Sequence, residues 1–317
     1  MLRAALKALV LAGFGHAPGG ARAYRRLTRE HLGTFATHVD KLARVWPGYL
    51  AVLRTRCGLR FDGLDVWIHD GGETPFSPLL VYLLTGRGGV HTLPAPEGRV
   101  LDRYLARAVN GVLAADLPPE CVPAERREVV RRLRWAAGAA EALQAVGARV
   151  VAGAAPAAIP LPAATVDLCH SGGALEHVPP DDLDAFLGEC RRVLRPGGIA
   201  SHVVDHRDHL HHADARWPFL GHLALPEVAY RLLAGHPLLY HNRLSPSEVE
   251  ARFRAAGFEK IAVRRLLLPE RVYVDDPIDA AARGRPGLPR AWLAAPFRDI
   301  SEADLRTAAA HYVFRRG

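Results

Sequence analysis

Val166–Asp205, VDLCHSGGALEHVPPDDLDAFLGECRRVLRPGGIASHVVD, is the stretch on which the fold is read. Thr165–His170 is apolar and predicts a strand. Ser171-Gly172-Gly173 follows as a turn. Leu183, Phe186, Leu187, Cys190, Val193 and Leu194 then recur at helical spacing, which predicts a helix with one buried face. Asp181 or Asp182 can cap its start, and Pro196-Gly197-Gly198 predicts its end. GIASHVVD predicts the next strand.

The same alternation extends outward. Strands are expected at Leu64–Ile68, Gly89–Leu93, Ala148–Ala152 and Lys260–Leu268, with a last one in His311–Gly317. A helix opens at Leu79, and residues 100–146 read as helical with a break at LPPECVPAE. Ser245-Pro246-Ser247-Glu248 is a capping box with proline at the first helical position, and that helix closes at Gly257. Ser301 with Asp304 starts another. Alternating β and α elements predict a mostly parallel sheet with helices on both faces. Residues 1–60 read as a helical leader.

The chain has 317 residues and 49% apolar content, enough for one large globular domain with additions. Its formal net charge is +8, which permits anionic partners and proves none. The densest basic cluster, Arg126–Trp135, reads as a solvated helix face, so no nucleic acid is expected. Cys57, Cys121, Cys169 and Cys190 lack metal-type or disulfide-type spacing, which fits a cytoplasmic setting. No apolar run reaches a membrane span. In the first 24 residues Lys7 interrupts the apolar part and Pro18-Gly19-Gly20 precedes the small-residue site. An amphipathic helix packed on the domain is expected there, in preference to a signal peptide or a membrane-surface helix.

Ala174–Val178, ALEHV, followed by RRVLRPGG at Arg191–Gly198, resembles the second half of a class I S-adenosylmethionine-dependent methyltransferase of the type 11 kind. DHRDHLHHADARWPFLGH and HNRLSPSEVEARFRAAGFE resemble a subgroup with a D-x-x-D-H turn after the fifth strand and Asn-Arg before a helix. The resemblance covers roughly residues 60–317. It implies a Rossmann-like, seven-stranded α/β domain over 61–317. An insertion falls at about 100–146 and a substrate-side loop and cap at about 205–245. It also implies S-adenosylmethionine as cofactor and methyl transfer to a small-molecule or sugar-type acceptor, at oxygen.

Residue by residue, the resemblance places Asp70, Gly71, Gly72, Ser171, Gly172 and Glu176 at the cofactor. His177, Asp208, Asn242 and Arg243 fall at the acceptor, and Asp205, His206 and His209 at the reacting centre. His209 or His206 would serve as the base, because imidazole accepts protons near neutral pH. Independently, ligands of an open α/β sheet bind beyond the carboxyl ends of its central strands, where these turns converge.

Three positions depart from the family pattern. Asp70 stands where the first loop usually has glycine. Pro94 stands where the second strand usually ends in a ribose-binding acid. Ala154 and Ala155 stand where an Asp usually lies near the adenine. Each lost charge-assisted hydrogen bond costs roughly 1.5–3 kcal/mol. A second expectation therefore stands beside the first: a non-catalytic relative that binds a partner subunit or ligand. The third arises from histidine. Eight of the sixteen histidines lie between His202 and His241, and DHRDHLHH has the composition of a transition-metal site. No metal ligand is assigned within it. Histidine loops are as often structural.

Overall fold

A computed structural model describes residues 2–30, 36–69, 74–93, 102–153, 158–269, 271–277 and 284–317. Asp70, Gly71, Gly72, Pro94, Ala154 and Ala155 lie outside the described residues.

Three helices come first: α1 (Leu2–His16), α2 (Gly20–Glu30) and α3 (Ala36–Cys57). Then β1 (Val66–His69), α4 (Phe76–Thr85) and β2 (Val90–Leu93) begin the alternation. Three short helices follow, α5 (Leu105–Ala114), α6 (Ala124–Arg132) and α7 (Ala139–Ala145), broken where the prolines predict. β3 (Arg149–Ala152), β4 (Val166–Gly172), α8 (Pro180–Val193) and β5 (Leu194–Asp205) complete the parallel part. Beyond a cap carrying α9 (Glu227–Leu233) come α10 (Pro246–Ala255), β6 (Phe258–Leu267), β7 (Val272–Asp275), α11 (Glu302–Arg306) and β8 (Thr307–Arg316).

The strands form one sheet in the order β3-β2-β1-β4-β5-β8-β6-β7. β3 to β5 are parallel; β8 enters antiparallel between β5 and β6, and β7 pairs antiparallel with β6. The sheet therefore has eight strands and not seven. The extra strand, β7, hangs on the edge; VYVD is too short to be separated from a loop by periodicity.

Alternation decides which face each strand residue covers. Val66 and Ile68 pack with Val39, Leu50 and Leu53 of α3, with α4 and with α5. Trp67, between them, packs on the opposite face with Phe186 and Leu187 of α8 and Phe253 of α10. Leu183, Phe186, Leu187, Cys190 and Val193 are all buried, as their spacing predicts. The helix ends at Val193 and β5 starts directly at Leu194, so Pro196-Gly197-Gly198 lies inside the strand. That irregular start coincides with a shift of register against Val166 and Leu168. The Ser245 capping box forms as expected, with the Ser245 hydroxyl accepting from the Glu248 amide.

Hydroxyls and imidazoles cross the middle of the sheet. His170 Nδ1 lies 3.1 Å from the Ser201 hydroxyl, which lies 2.9 Å from His311 Nε2. On the other face Ser171 pairs with His202 Nδ1 at 2.8 Å. These rungs join β4, β5 and β8 just before the strands reach their carboxyl ends.

Candidate functional site

The order β1-β4 is where the chain direction of the crossovers reverses, so a crevice opens beyond the carboxyl ends of these strands. A cavity of about 190 Å³ occupies it. Its floor is Ile68 of β1, His170 and Gly172 of β4, Gly173, and Val203 and Asp205 of β5. Its roof is α3: Trp46 lies 4.4 Å from the His170 ring and Tyr49 lies 5.1 Å from the His311 ring, centroid to centroid. Trp46 and Tyr49 are three apart on one helix, a spacing visible in the sequence but silent about its partner.

Asp205 ends β5 and is nearly closed off from solvent. Arg207 grips it in a fork, Nε to Oδ1 at 2.7 Å and Nη2 to Oδ2 at 2.6 Å, and His212 Nε2 lies 3.2 Å from Oδ2. Burial raises its pKa, but Arg207 and His212 outweigh burial and hold the carboxyl well below its usual range. Such a carboxylate anchors and orients; it is a weak proton acceptor. Asp-x-Arg was the sequence signal for Arg207, which sequence reasoning passed over.

The turn after β4 brings a second carboxyl to the same place. Gly173 has φ +74, a conformation that favours glycine. A Cβ there would stand 3.4 Å from Glu176 Oε1. Glu176 is only 2% exposed, and its Oε2 has no hydrogen-bond partner among the described residues. Burial first, and the Asp205 charge second, push its pKa up to about 8. Ser171 faces away, committed to His202.

The histidine loop separates into members with different duties. His206 is buried with both nitrogens engaged, Nδ1 donating to the Leu244 carbonyl at 3.1 Å and Nε2 paired with the Tyr312 hydroxyl at 2.9 Å. It braces β8 against the segment leading into α10. Asp208 accepts from the Leu210 amide and from Trp217 Nε1, both at 2.8 Å. His211 holds the Trp217 carbonyl at 2.7 Å. His209 makes no hydrogen bond among the described residues. It stacks on His177 at 4.8 Å between centroids and stands 5.6 Å from the His241 ring. Burial, then the neighbouring His177 and His241, hold its pKa well below the ordinary value, so the ring is neutral. Glu176, His177 and His209 each bring one ligating atom within 4.8 Å of the others.

Asn242 and Arg243, expected at the acceptor, are engaged with the protein. Asn242 Nδ2 donates to the Leu175 and Val178 carbonyls at 2.8 and 3.0 Å, and its Oδ1 accepts from the Leu244 amide. Its own amide donates to the Glu176 carbonyl at 2.8 Å. It is the clamp that fixes the turn carrying Glu176 and His177. Arg243 has φ +62, and its guanidinium lies 4.4 Å from the ring centroids of both Tyr230 and Phe297 while donating to the Leu225 carbonyl.

Beyond His209 a second cavity opens, of about 220 Å³. Leu210, Leu225, Leu233, Ala234 and Leu239 line it with Ala5, Ala8 and Leu9 of α1. Asp208, His209, His222 and His241 meet at one end of it, with His222 and His241 rings 4.5 Å apart. His209 thus stands at the inner end of the apolar cavity under α1, stacked on His177 from the turn after β4. No sequence motif pointed to the second cavity.

A family model described as a methyltransferase domain matches residues 97–201. The chain is 29% identical over 242 residues to a malonyl-[acyl-carrier protein] O-methyltransferase of Methylococcus capsulatus, covering 74% of this chain and 72% of that protein. Among solved structures it is similar to an S-adenosylmethionine-dependent methyltransferase from Mesorhizobium loti, with TM-score 0.46 and 18% identity over 88% of this chain and 100% of the other. A further likeness is to a possible histamine N-methyltransferase from Thermotoga maritima, with TM-score 0.44 and 14% identity over 93% and 98% of the two chains. Among the described residues no helix is long and apolar enough to cross a membrane. Residues 97–201 thus match a methyltransferase domain within a Rossmann-like sheet, and members of that family use S-adenosylmethionine.

Proposed function

We propose that this protein transfers a methyl group from S-adenosylmethionine to an oxygen of a small-molecule acceptor. The observation that carries this reading is Glu176. A buried carboxyl with one unpartnered oxygen, beside a glycine turn at the carboxyl end of β4, is costly unless something cationic comes to it. A sulfonium nucleoside with an amino-acid tail brings positive charge and fits that vacancy in hydrogen bonding. The Gly172-Gly173 backbone and Glu176 would hold it, together with Asp70, Gly71 and Gly72 at the first turn. The cofactor supplies an electrophilic methyl group.

The chain's own residues do the rest. α3 excludes water from the crevice through Trp46 and Tyr49. Asp205, fixed by Arg207, sets the loop that carries His209. His209, neutral and without a hydrogen bond among the described residues, accepts the proton of the acceptor hydroxyl as oxygen attacks. His177 stacks on it and limits its rotation, and Asn242 holds His177's turn. Alignment of oxygen and methyl group supplies most of the remaining acceleration.

Calorimetric titration with S-adenosylmethionine and S-adenosylhomocysteine tests the reading. Binding in the micromolar range is expected. Absence of heat and of any thermal shift at millimolar ligand would replace it with the non-catalytic reading, which the Asp70, Pro94 and Ala154 departures favour. The Glu176-His177-His209 cluster favours one further reading, metal-assisted chemistry. Elemental analysis of the purified protein decides that one: a stoichiometric transition metal supports it, and less than a tenth equivalent dismisses it.

A further inference from the structure

The apolar cavity is the inner side of a larger apolar arrangement. Its outer wall is α1, through Ala5, Ala8 and Leu9. The other side of that wall faces solvent: Leu6 is 61% exposed, Leu9 63% and Val10 45%. α9 continues the surface with Val228 and Leu232, both exposed, and His16 of α1 is tied to the Leu232 carbonyl at 2.9 Å. Single exposed leucines are ordinary, but a run of them on two neighbouring helices is a patch that something covers.

Charge narrows what covers it. Residues 2–28 contain Arg3, Lys7, Arg22, Arg25 and Arg26 and no acidic residue. A second copy of this chain would bring that basic surface against itself. An acidic carrier protein would suit the arginines, but a chain delivered on a polar arm needs polar sockets along its path. The cavity wall here is apolar except at its His209 end. An anionic bilayer answers both features, with basic side chains at the headgroups and leucines at the acyl boundary.

We propose that α1 and α9 seat on an anionic membrane surface, and that the cavity behind them receives the hydrocarbon chain of a membrane-resident acceptor whose polar end meets His209. The seating stands by itself; the role of the acceptor rests on the methyl-transfer reading. The cavity geometry then orders events simply. An amphiphile slides from the bilayer beneath α1 with its hydroxyl leading, and the hydroxyl arrives at the histidines at the cavity's inner end.

The test is co-sedimentation of the full chain with vesicles of phosphatidylcholine, with and without phosphatidylglycerol. Binding to the anionic vesicles is expected to be tighter by about tenfold or more, and weakened by salt. Leu6→Asp with Leu232→Asp, both surface positions outside the cavity, should lower it by about tenfold or more. Trp135→Ser, 83% exposed and on neither helix, should leave it unchanged. Phospholipid brominated along its acyl chain should quench the Trp217 fluorescence, a component missing in Trp217→Phe. Ala8→Phe, which fills the cavity from within, should keep vesicle binding and remove the quenching. Equal binding to neutral vesicles, indifference to the double substitution, or self-association through this face by light scattering would overturn the seating. Vesicle binding without Trp217 quenching would overturn the chain-binding cavity. Vesicle binding without cofactor binding would remove methyl transfer and leave the seating intact.

Discussion

The crevice over the sheet and the cavity under α1 are built of different materials. The one over the sheet has a carboxylate locked by an arginine, a second carboxyl buried behind its Gly173 turn, and a roof of aromatic rings. The one under α1 is mostly leucine and alanine, with Asp208 and imidazoles at one end. The difference teaches a division of labour: the sheet edge suits a charged, polar ligand, and the cap suits an apolar one. His212 links them: it pairs with Asp205 of the first at 3.2 Å, and its ring lies 6.0 Å from that of His209 in the second.

Four measurements would break or sharpen this contrast. The largest effect is expected at Glu176. Its folded pKa of about 8 lies above the ordinary 4.5, so the folded state holds the extra proton between those values. Stability of the unliganded protein therefore falls as pH rises from 4.5 to 8, by on the order of 4 kcal/mol in all. Glu176→Gln should flatten that slope in thermal melts and gain stability relative to wild type at pH 8, while losing affinity for cationic ligands. A parallel slope in both proteins would break the account of the polar cavity.

Next is His209→Ala. It should lower kcat by about a hundredfold or more with little change in melting temperature, since the ring is a base and not a brace. An equal loss on His206→Ala with no loss of stability would exchange their roles. Asn242→Ala should do the reverse of His209→Ala. It leaves the Leu175 and Val178 carbonyls without their donor, for a loss of about 2 kcal/mol read by denaturant unfolding. Smallest is Trp217→Phe, which removes one hydrogen bond to Asp208. A cost of about 1 kcal/mol is expected, with cofactor affinity unchanged, because Trp217 belongs to the apolar side.

The parallel sheet was legible because its signals are local. Leu183, Phe186, Leu187, Cys190 and Val193 announce one helix face, and Ser245 with Glu248 announces a cap; neither depends on distant residues. β7 was not legible, since four residues give no period. The site was legible as a set of loops and not as roles. DHRDHLHH reads as one cluster, yet His206 points into the core, His211 into its own loop, His212 to Asp205, and His209 onto His177 at the end of the apolar cavity. Side-chain direction in an irregular loop follows from tertiary partners such as Tyr312 and Trp217, which lie up to a hundred residues away. The bonds of Asn242 and Arg243 to protein carbonyls were hidden for the same reason. The apolar cavity was hidden because α1 meets the cap across more than two hundred residues of chain.

The buried imidazoles of the sheet and the cap have a consequence of their own. His202, His206, His222, His241 and His311 are all buried and held below their ordinary pKa, His241 and His311 to about 3, chiefly because burial disfavours the charged ring. The unfolded chain would protonate every one of them near pH 6.5. Each contributes stability above that value and loses it as pH falls toward its folded pKa. Mild acid thus acts on them together, and unfolding there takes up several protons in one cooperative event. The fold carries a steep acid threshold, set by imidazoles buried in the sheet and in the cap.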